Sequence, residues 1–187
     1  EFRRVLFRSD LVQGCKRGER QAQEGLYRQL VSTMMGICLR YAKDRDDAED
    51  ILQTGFIRVF QKISDFRMEG SFEGWVKRIM VNTALEHYRK NLRTLTAVSL
   101  DEVQEEVSFS DWNALEVEDL LNVIQSLPNG YRMVFNMYAL EGYSHKEIAE
   151  ELGITESGSK SQLSRARALL KEKIKQLEFD DHAKQIR

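Results

Sequence analysis

Apolar residues recur along the chain at intervals of three and four, the spacing of helices that bury one face. The first such helix carries the pattern in Leu26, Leu30, Met34 and Ile37. No alternating run of β-branched residues competes with this pattern, and Pro128 is the single proline. The pattern predicts helices at about residues 19–42, 44–63, 72–92, 115–127, 131–140, 144–152 and 155–177. We therefore expect an all-α protein.

The last two of these predicted helices are joined by a tight turn. Ser144 and Glu147 form a capping-box pattern at the start of the first helix of the pair. Gly153 supplies the backbone freedom that a sharp turn needs. Thr155 then provides a good cap for the second helix. The two segments therefore form a helix–turn–helix pattern.

The second helix of the pair buries a stripe that includes Leu163 and Leu170 and leaves small polar and cationic residues on its other sides. These residues are Ser157, Lys160, Ser161, Ser164, Arg165, Arg167 and Lys171. Side chains of this kind suit the major groove of DNA, so the pair is predicted to be a DNA-binding helix-turn-helix. An ordinary helical hairpin with a solvated basic face is the alternative.

The distribution of charge decides more than the net charge of −2. Residues 96–125 contain eight acidic and no basic side chains, so the flanking segments are free to present basic faces. The stretch 94–112 also lacks helical periodicity, which predicts a flexible acidic linker. The chain is thus predicted to hold two small helical domains, at residues 10–93 and 113–177, with a frayed tail at 178–187.

The first nine residues, EFRRVLFRS, have neither an initiating Met nor the apolar centre of a signal peptide. We expect residues 1–9 to be a non-native or disordered leader that takes no part in the fold.

Several kinds of chemistry find no support in the sequence. Cys15 and Cys38 are too few for a disulfide framework, and no Cys/His cluster has zinc spacing. No apolar run is long enough to cross a membrane, and no glycine-rich phosphate loop or nucleophile motif occurs. We therefore expect a cytoplasmic protein that is not an enzyme, with no metal, no cofactor and no membrane insertion.

The predicted helix at 72–92 interleaves aromatic and cationic side chains. Beside its packing face it carries Trp75, Lys77, Arg78, Asn82, Tyr88, Arg89 and Lys90. This combination suits a phosphate backbone together with stacked, unpaired bases. A tryptophan at helical spacing is as often a core residue, so core packing of Trp75 remains an alternative.

Three stretches together resemble a known family. They are DAEDILQTGFIRVFQKI at 47–63, FEGWVKRIMVNTALEHYRK at 72–90, and LPNGYRMVFNMYALEGYSHKEIAEELGITESGSKSQLSRARALL at 127–170. In this order, around an acidic linker, they resemble bacterial RNA polymerase sigma factors of the sigma-70 family, in the extracytoplasmic-function subgroup. The resemblance implies a region 2 domain at 10–93, a region 4 domain at 113–177, and no catalysis of the chain's own.

The resemblance also implies partners for the first domain. Asp50, Gln53 and Thr54 match the face that docks on the clamp helices of the largest subunit of core RNA polymerase. Phe56 and Phe60 lie beside them and belong either to this interface or to the core. The reader of the −10 promoter element, which also promotes DNA opening, would comprise Phe66, Trp75, Lys77, Arg78, Asn82 and Arg89. The loop from Phe66 to Gly70 would receive a base flipped out of the melted non-template strand.

For the second domain the resemblance implies recognition of the −35 element as duplex DNA. The matching positions are Lys160, Ser161, Gln162, Ser164 and Arg165. Many relatives have Thr-Val in place of Gly158-Ser159 and Arg in place of Gln162. Gly158 should loosen the first turn of the recognition helix by up to about 1 kcal/mol, and Gln favours adenine over guanine. The acidic linker either follows a basic path through the polymerase or is simply solvated.

The family is commonly held away from polymerase by an anti-sigma factor, which is the remaining expected partner. The alternative function is a stand-alone helix-turn-helix transcription regulator with a receiver or dimerisation domain. Such a domain requires neither the 47–63 motif nor the basic-aromatic helix, and it would usually alternate strands with helices.

Overall fold

The structure is a computed structural model, which describes residues 10–97 and 117–185, and side chains within 10–92 and 120–177. Within these ranges every regular element is helical. Residues 10–16 form α1, and the remaining α-helices are α2 (Arg20–Tyr41), α3 (Arg45–Lys62), α4 (Phe72–Ala97), α5 (Val117–Gln125), α6 (Asn129–Phe135), α7 (His145–Leu152) and α8 (Glu156–Gln185). A 3-10 turn, Ile63–Asp65, follows α3, and a π-helical turn, Asn136–Leu140, follows α6. The all-α prediction is confirmed.

The chain divides into two compact units between His87 and Tyr88. We call the part up to His87 the first unit and the part from Tyr88 the second unit. Two helical bodies were predicted, and this is confirmed. The division falls inside α4, so the predicted domain limits at 93 and 113 remain predictions.

The core of the first unit is built on α2. Leu26, Leu30 and Met34 recur on one face of α2 and are buried. This face packs on α3, whose buried side includes Leu52 and Val59. The starts of two helices are fixed by side-chain caps, since Asp44 Oδ1 accepts from the Asp47 amide and Ser71 Oγ accepts from the Gly74 amide. These contacts fix the elements on which the exposed side chains of α3 and α4 are mounted.

The core of the second unit joins α5 to α8. Val123, Ile124 and Leu127 of this core are buried with Ala166 and Leu170. The buried Arg132 closes the connection between α5 and α6. Its guanidinium donates to the Gln125 carbonyl oxygen and to Asn129 Oδ1, each at 2.8 Å. Because both bonds offset part of the cost of burying this cation, they hold the α5–α6 corner together.

Several element limits differ from those predicted. Helix α1 was not predicted, α4 continues to Ala97, and α8 continues to Gln185 where a frayed tail was expected after Leu177. The turn predicted at 127–130 is shorter, because Pro128 is the N-cap of α6 and Asn129 already belongs to that helix. Polar helix ends such as those of α4 and α8 carry no stop signal, so apolar periodicity underestimates their length. The predicted leader, 1–9, and residues 98–112 of the predicted linker lie outside the described residues.

Both cysteines, Cys15 and Cys38, are free and buried. Burial raises the pKa of the Cys15 thiol to about 11, with the nearby Glu19 carboxylate adding to the effect, and burial raises that of Cys38 to about 12. Because the thiolate is the reactive form, we expect iodoacetamide at pH 8 to label both residues at least about tenfold more slowly in the folded chain than in denaturant. Mass spectrometry of labelled peptides measures this ratio. Equal rates in both states would show that the two helices carrying these thiols open freely.

Candidate nucleic-acid interface

The outer face of α3 carries an exposed polar row. Asp50, Gln53 and Thr54 are all exposed and lie one turn apart on the same side of the helix. Ile57 continues this row and is 53% exposed, which is unusual for an isoleucine on a helix whose other side is buried. The sequence analysis missed Ile57, although its spacing from Gln53 and Thr54 is the available signal. We call these four residues the α3 face.

The two phenylalanines of α3 have different environments. Phe56 is 3% exposed, and its ring lies 4.6 Å from that of Tyr27 on α2. Phe60 is half-buried, with its ring 6.2 Å from Phe56. The structure therefore decides the open alternative for Phe56 in favour of the core, while Phe60 lies at the border of the α3 face.

An aromatic cluster supports the loop between α3 and α4. The rings of Phe66, Phe72 and Trp75 lie 5.1 to 5.7 Å apart, centre to centre. Phe66, the first residue of the predicted base-receiving loop, is only 5% exposed, and its place in the −10 reader stays a prediction. Its ring packs against Phe72 and Trp75. This contact anchors the start of the loop in the core of the first unit. Trp75 is half-buried. Part of its ring packs in the core, and part stays accessible to a ligand.

The loop beyond Phe66 is exposed from residue 67 to 70. Met68 has a φ of 61°, a left-handed conformation that only a few per cent of non-glycine residues adopt, and its side chain is 43% exposed. Gly70, with a φ of 75°, then turns the chain into α4. A strained, exposed apolar residue at the tip of a loop is a common feature of functional sites.

The side of α4 next to this loop carries the predicted −10 residues. Arg78 and Asn82 are exposed one turn apart, and Trp75 precedes them on the same side. Lys77 is half-buried beside this row. Arg89 is half-buried and belongs to the second unit, since that unit begins at Tyr88. The structure thus brings Trp75, Arg78 and Asn82 together and does not place Arg89 in the same unit.

The helix-turn-helix forms as predicted. Ser144 Oγ accepts from the Glu147 amide at 3.2 Å, and Glu147 Oε2 accepts from the Ser144 amide at 2.8 Å, which completes the capping box of α7. Gly153 ends α7 with a φ of 67°. Thr155 Oγ1 then accepts from the Gly158 amide at 3.0 Å at the start of α8. The cap at Thr155 offsets part of the looseness expected from Gly158.

The exposed face of α8 contains four of the five predicted −35 residues: Lys160, Ser161, Ser164 and Arg165. Arg165 Nη1 also donates to the Tyr131 hydroxyl at 3.3 Å. Gln162 differs from this prediction, because it is half-buried and its Oε1 is buried without a hydrogen-bond donor among the described residues. The small residue Gly130 leaves room for that oxygen on α6, so the amide of Gln162 is not presented with the other four.

A buried polar contact links the two helices of the motif. Ser159 is completely buried, and its Oγ lies 2.9 Å from Nδ1 of His145, the first residue of α7. The His145 ring also stacks on Tyr138, with the centres 4.5 Å apart. This link between α7 and α8 was not predicted. The only sequence signal for it was a serine on the buried side of α8.

Other kinds of site are not found in the described ranges. No group of three His, Cys, Asp or Glu side chains there is arranged to hold a metal ion. Each helix in those ranges is too short or too polar to span a lipid bilayer. The candidate binding surfaces are therefore the α3 face, the row on α4 with its loop, and the cationic face of α8.

Comparison with family models identifies two regions of the chain. Residues 26–94 match the model for sigma-70 region 2, and residues 118–170 match the model for sigma-70 region 4. The chain therefore belongs to the sigma-70 family of RNA polymerase sigma factors.

Curated relatives place the chain within that family. It is 30% identical over 154 residues to the extracytoplasmic-function (ECF) RNA polymerase sigma factor SigE of Mycolicibacterium smegmatis, covering 79% of this chain and 59% of that protein. It is 27% identical over 180 residues to the ECF RNA polymerase sigma-E factor of Haemophilus influenzae, covering 89% and 95% respectively. The chain is an ECF sigma factor of the sigma-70 family.

A solved structure supports the fold. The sigma factor RpoE from Bartonella quintana, crystallised in complex with the anti-sigma factor NepR, matches with a TM-score of 0.50 and 21% identity. The match covers 81% of this chain and 96% of that one. At this identity the likeness concerns the fold alone.

Proposed function

We propose that this chain binds core RNA polymerase, directs it to promoters by recognising −35 and −10 elements, and promotes DNA opening, without catalysis of its own. The observation that carries this proposal is the presence, on one chain, of sigma-70 regions 2 and 4, each with an exposed polar or cationic helix face. A DNA-binding regulator acting alone would need the second unit but not the α3 face.

Docking on polymerase is assigned to the α3 face. Its polar residues Asp50, Gln53 and Thr54 precede the exposed apolar side chain of Ile57 along one side of a helix that is itself anchored in the core. Exposed apolar surface next to polar groups is the usual composition of a protein–protein interface. The occupant we propose is the pair of clamp helices of the largest polymerase subunit.

Recognition of the −10 element is assigned to α4 and the preceding loop. Arg78 and Asn82 face the same side as the half-buried Trp75, so a cation, an amide and an aromatic edge are available along one line. Phosphates attract the cation, and unpaired bases stack on aromatic surfaces. The buried ring of Phe66 supports the loop that receives a base.

Recognition of the −35 element is assigned to α8. Lys160 and Arg165 supply charge, while Ser161 and Ser164 are small enough to allow the helix to enter the major groove. Gln162 supports this helix from its inner side in the conformation described here. The turn at Gly153 and the contact between Ser159 and His145 hold α8 against α7.

An anti-sigma factor is the proposed regulatory partner, and the cytoplasm the proposed location. The structurally similar sigma factor of Bartonella quintana was crystallised with an anti-sigma factor. For this chain the exposed α3 face is the surface that such a partner would most simply compete for.

The proposed function is tested by transcription from a promoter library with purified core polymerase, with and without this chain. Polymerase-dependent enrichment of templates that share two spaced elements would support it. If the chain bound the same DNA sites equally well without polymerase and started no transcripts, it would be a stand-alone regulator instead.

Arg165→Ala is expected to weaken binding of the polymerase complex to the upstream element by about 1–3 kcal/mol, because a bidentate arginine contact to a base edge is worth that much. The measurement is the affinity for promoters with single base changes in the −35 element. Loss of a base contact removes discrimination at one position, whereas loss of a phosphate contact weakens all promoters alike.

Two variants provide the controls for this measurement. Lys175→Ala removes an exposed cation from the same helix away from the motif and should leave −35 discrimination unchanged. Asn82→Ala should impair opening while leaving −35 binding intact. If Arg165→Ala and Asn82→Ala reduced both steps equally, the proposed division of work between the two units would be wrong.

A further inference from the structure

Lys16 lies outside both matched family regions but contacts Phe66, which lies inside the first of them. Its ammonium nitrogen Nζ donates to the backbone carbonyl oxygen of Phe66 at 2.6 Å, joining residues 50 positions apart in the chain. The side chain of Lys16 is half-buried, whereas most lysines in the chain are exposed. The match to sigma-70 region 2 begins only at residue 26, so it assigns no role to Lys16.

The end of α1 holds Lys16 firmly. Val12 and Cys15 of the same helix are buried in the first unit. The helix then closes with Gly18 at a φ of 78°, where the Gly18 amide donates to the Cys15 carbonyl and the Glu19 amide donates to the Gly14 carbonyl. Lys16 therefore extends from a fixed position, and a fixed donor can restrain the group that it binds.

The acceptor of this bond lies where restraint matters most. Phe66 is the last buried residue before the exposed loop 67–70, and its amide donates to the Ile63 carbonyl oxygen at 3.2 Å. Two residues later, Met68 holds a left-handed backbone conformation. Such a conformation persists only when the surrounding structure fixes it from both sides. Gly70 and Ser71, which caps α4, fix the far side, and the Phe66 ring and carbonyl fix the near side.

We propose that Lys16 is a positioning residue for promoter opening. Through the Phe66 carbonyl, it holds the loop 67–70, which contains Met68, in the shape that receives an unpaired base of the non-template strand. This inference rests on the proposed function of the loop. Lys16 does not itself contact the base. It makes α1 part of the −10 reader, although α1 lies outside the family match.

The side chain of Lys16 can act in two ways, which substitutions can separate. Its aliphatic stem fills space, and its ammonium group donates. Lys16→Met keeps most of the stem and removes the donor, and Lys16→Arg keeps a donor and the charge. Lys62→Met is the matched control, since Lys62 is an exposed lysine directly before the Ile63–Asp65 turn. It removes a charge at the foot of the same loop.

Two measurements test the inference on the full-length chain. The first is hydrogen exchange of peptides spanning residues 63–70, without polymerase. We expect Lys16→Met to speed exchange there by about tenfold, with α2 and α3 unchanged, and Lys16→Arg and Lys62→Met to behave as wild type. If exchange at 63–70 is unchanged in Lys16→Met, or if it rises equally in Lys62→Met, the inference is wrong, whatever the function of the chain.

The second measurement uses core polymerase and promoter duplexes that are already unpaired across the −10 element. Each non-template base is varied in turn, and the binding preference among the four bases is recorded. We expect Lys16→Met to reduce the preference at one position by about tenfold while the affinity for polymerase stays as in wild type, and Lys16→Arg to restore the preference. An undiminished preference in Lys16→Met overturns the inference. If the wild-type chain itself shows no polymerase-dependent preference, the proposed function fails, and the inference fails with it.

Discussion

Ile57→Glu should strongly weaken binding to core polymerase. Ile57 is the exposed apolar member of the α3 face, and a glutamate there would bring an unpaired charge into the centre of the proposed interface. A loss of about 2–4 kcal/mol is typical of a central interface residue, which lowers the affinity roughly 30-fold or more. The affinity of the full-length chain for labelled core polymerase measures this effect directly.

The stability of the chain should not change in the same experiment. Ile57 is already 53% exposed, so a polar replacement removes little buried apolar area from the first unit. Ile57→Leu keeps the apolar surface and should bind polymerase almost as wild type does. Unchanged affinity of Ile57→Glu would show that the α3 face is merely solvated, and docking would have to be assigned to another surface.

The features that were predicted correctly are those whose causes are local in sequence. Ser144 and Thr155 cap helices because each side chain reaches an amide three residues ahead, a distance that the sequence itself displays. Gly153 marks a turn because the required left-handed conformation favours glycine. The alternation of buried and exposed positions likewise follows from the helical period. Local rules of this kind are enough to predict the helix-turn-helix from the sequence.

The features that were missed depend on partners far away in the chain. The burial of Phe66 depends on Trp75, which lies on the next helix. Gln162 shares a helix face with true surface residues, and only the space beside Gly130 allows its oxygen to turn inward. Ser159 and His145 meet because α7 and α8 cross at that point. Spacing along one helix cannot reveal such contacts, since packing between elements determines them.

Lys16 illustrates the same limit for function. Nothing about a lysine near the end of a short helix distinguishes it from a solvated one. Its meaning comes from a carbonyl oxygen 50 residues away, at the base of a strained loop. Exposed residues proposed to contact DNA are thus easier to predict than residues proposed to hold them in position.

Leu26→Ala is the second substitution for which we expect a large effect. Leu26 is completely buried on the packing face of α2, and truncating such a leucine leaves a cavity that costs about 2–5 kcal/mol of unfolding free energy. Because whole small domains are stable by only about 5–15 kcal/mol, this loss should leave the first unit partly unfolded at moderate denaturant concentrations. Chemical denaturation followed by hydrogen exchange locates the loss.

The pattern of that loss tests the division into two domains. If each unit has its own core, Leu26→Ala should lower protection in α2 and α3 and leave α7 and α8 as in wild type. Leu170→Ala is the matched variant, since Leu170 is buried in the core shared by α5 and α8. Leu170→Ala should lower protection in α7 and α8 and leave α2 and α3 as in wild type. A common loss of protection in all four helices, caused by either variant, would mean that the chain unfolds as one body. Recognition of two promoter elements by separately folded domains would then have to be abandoned.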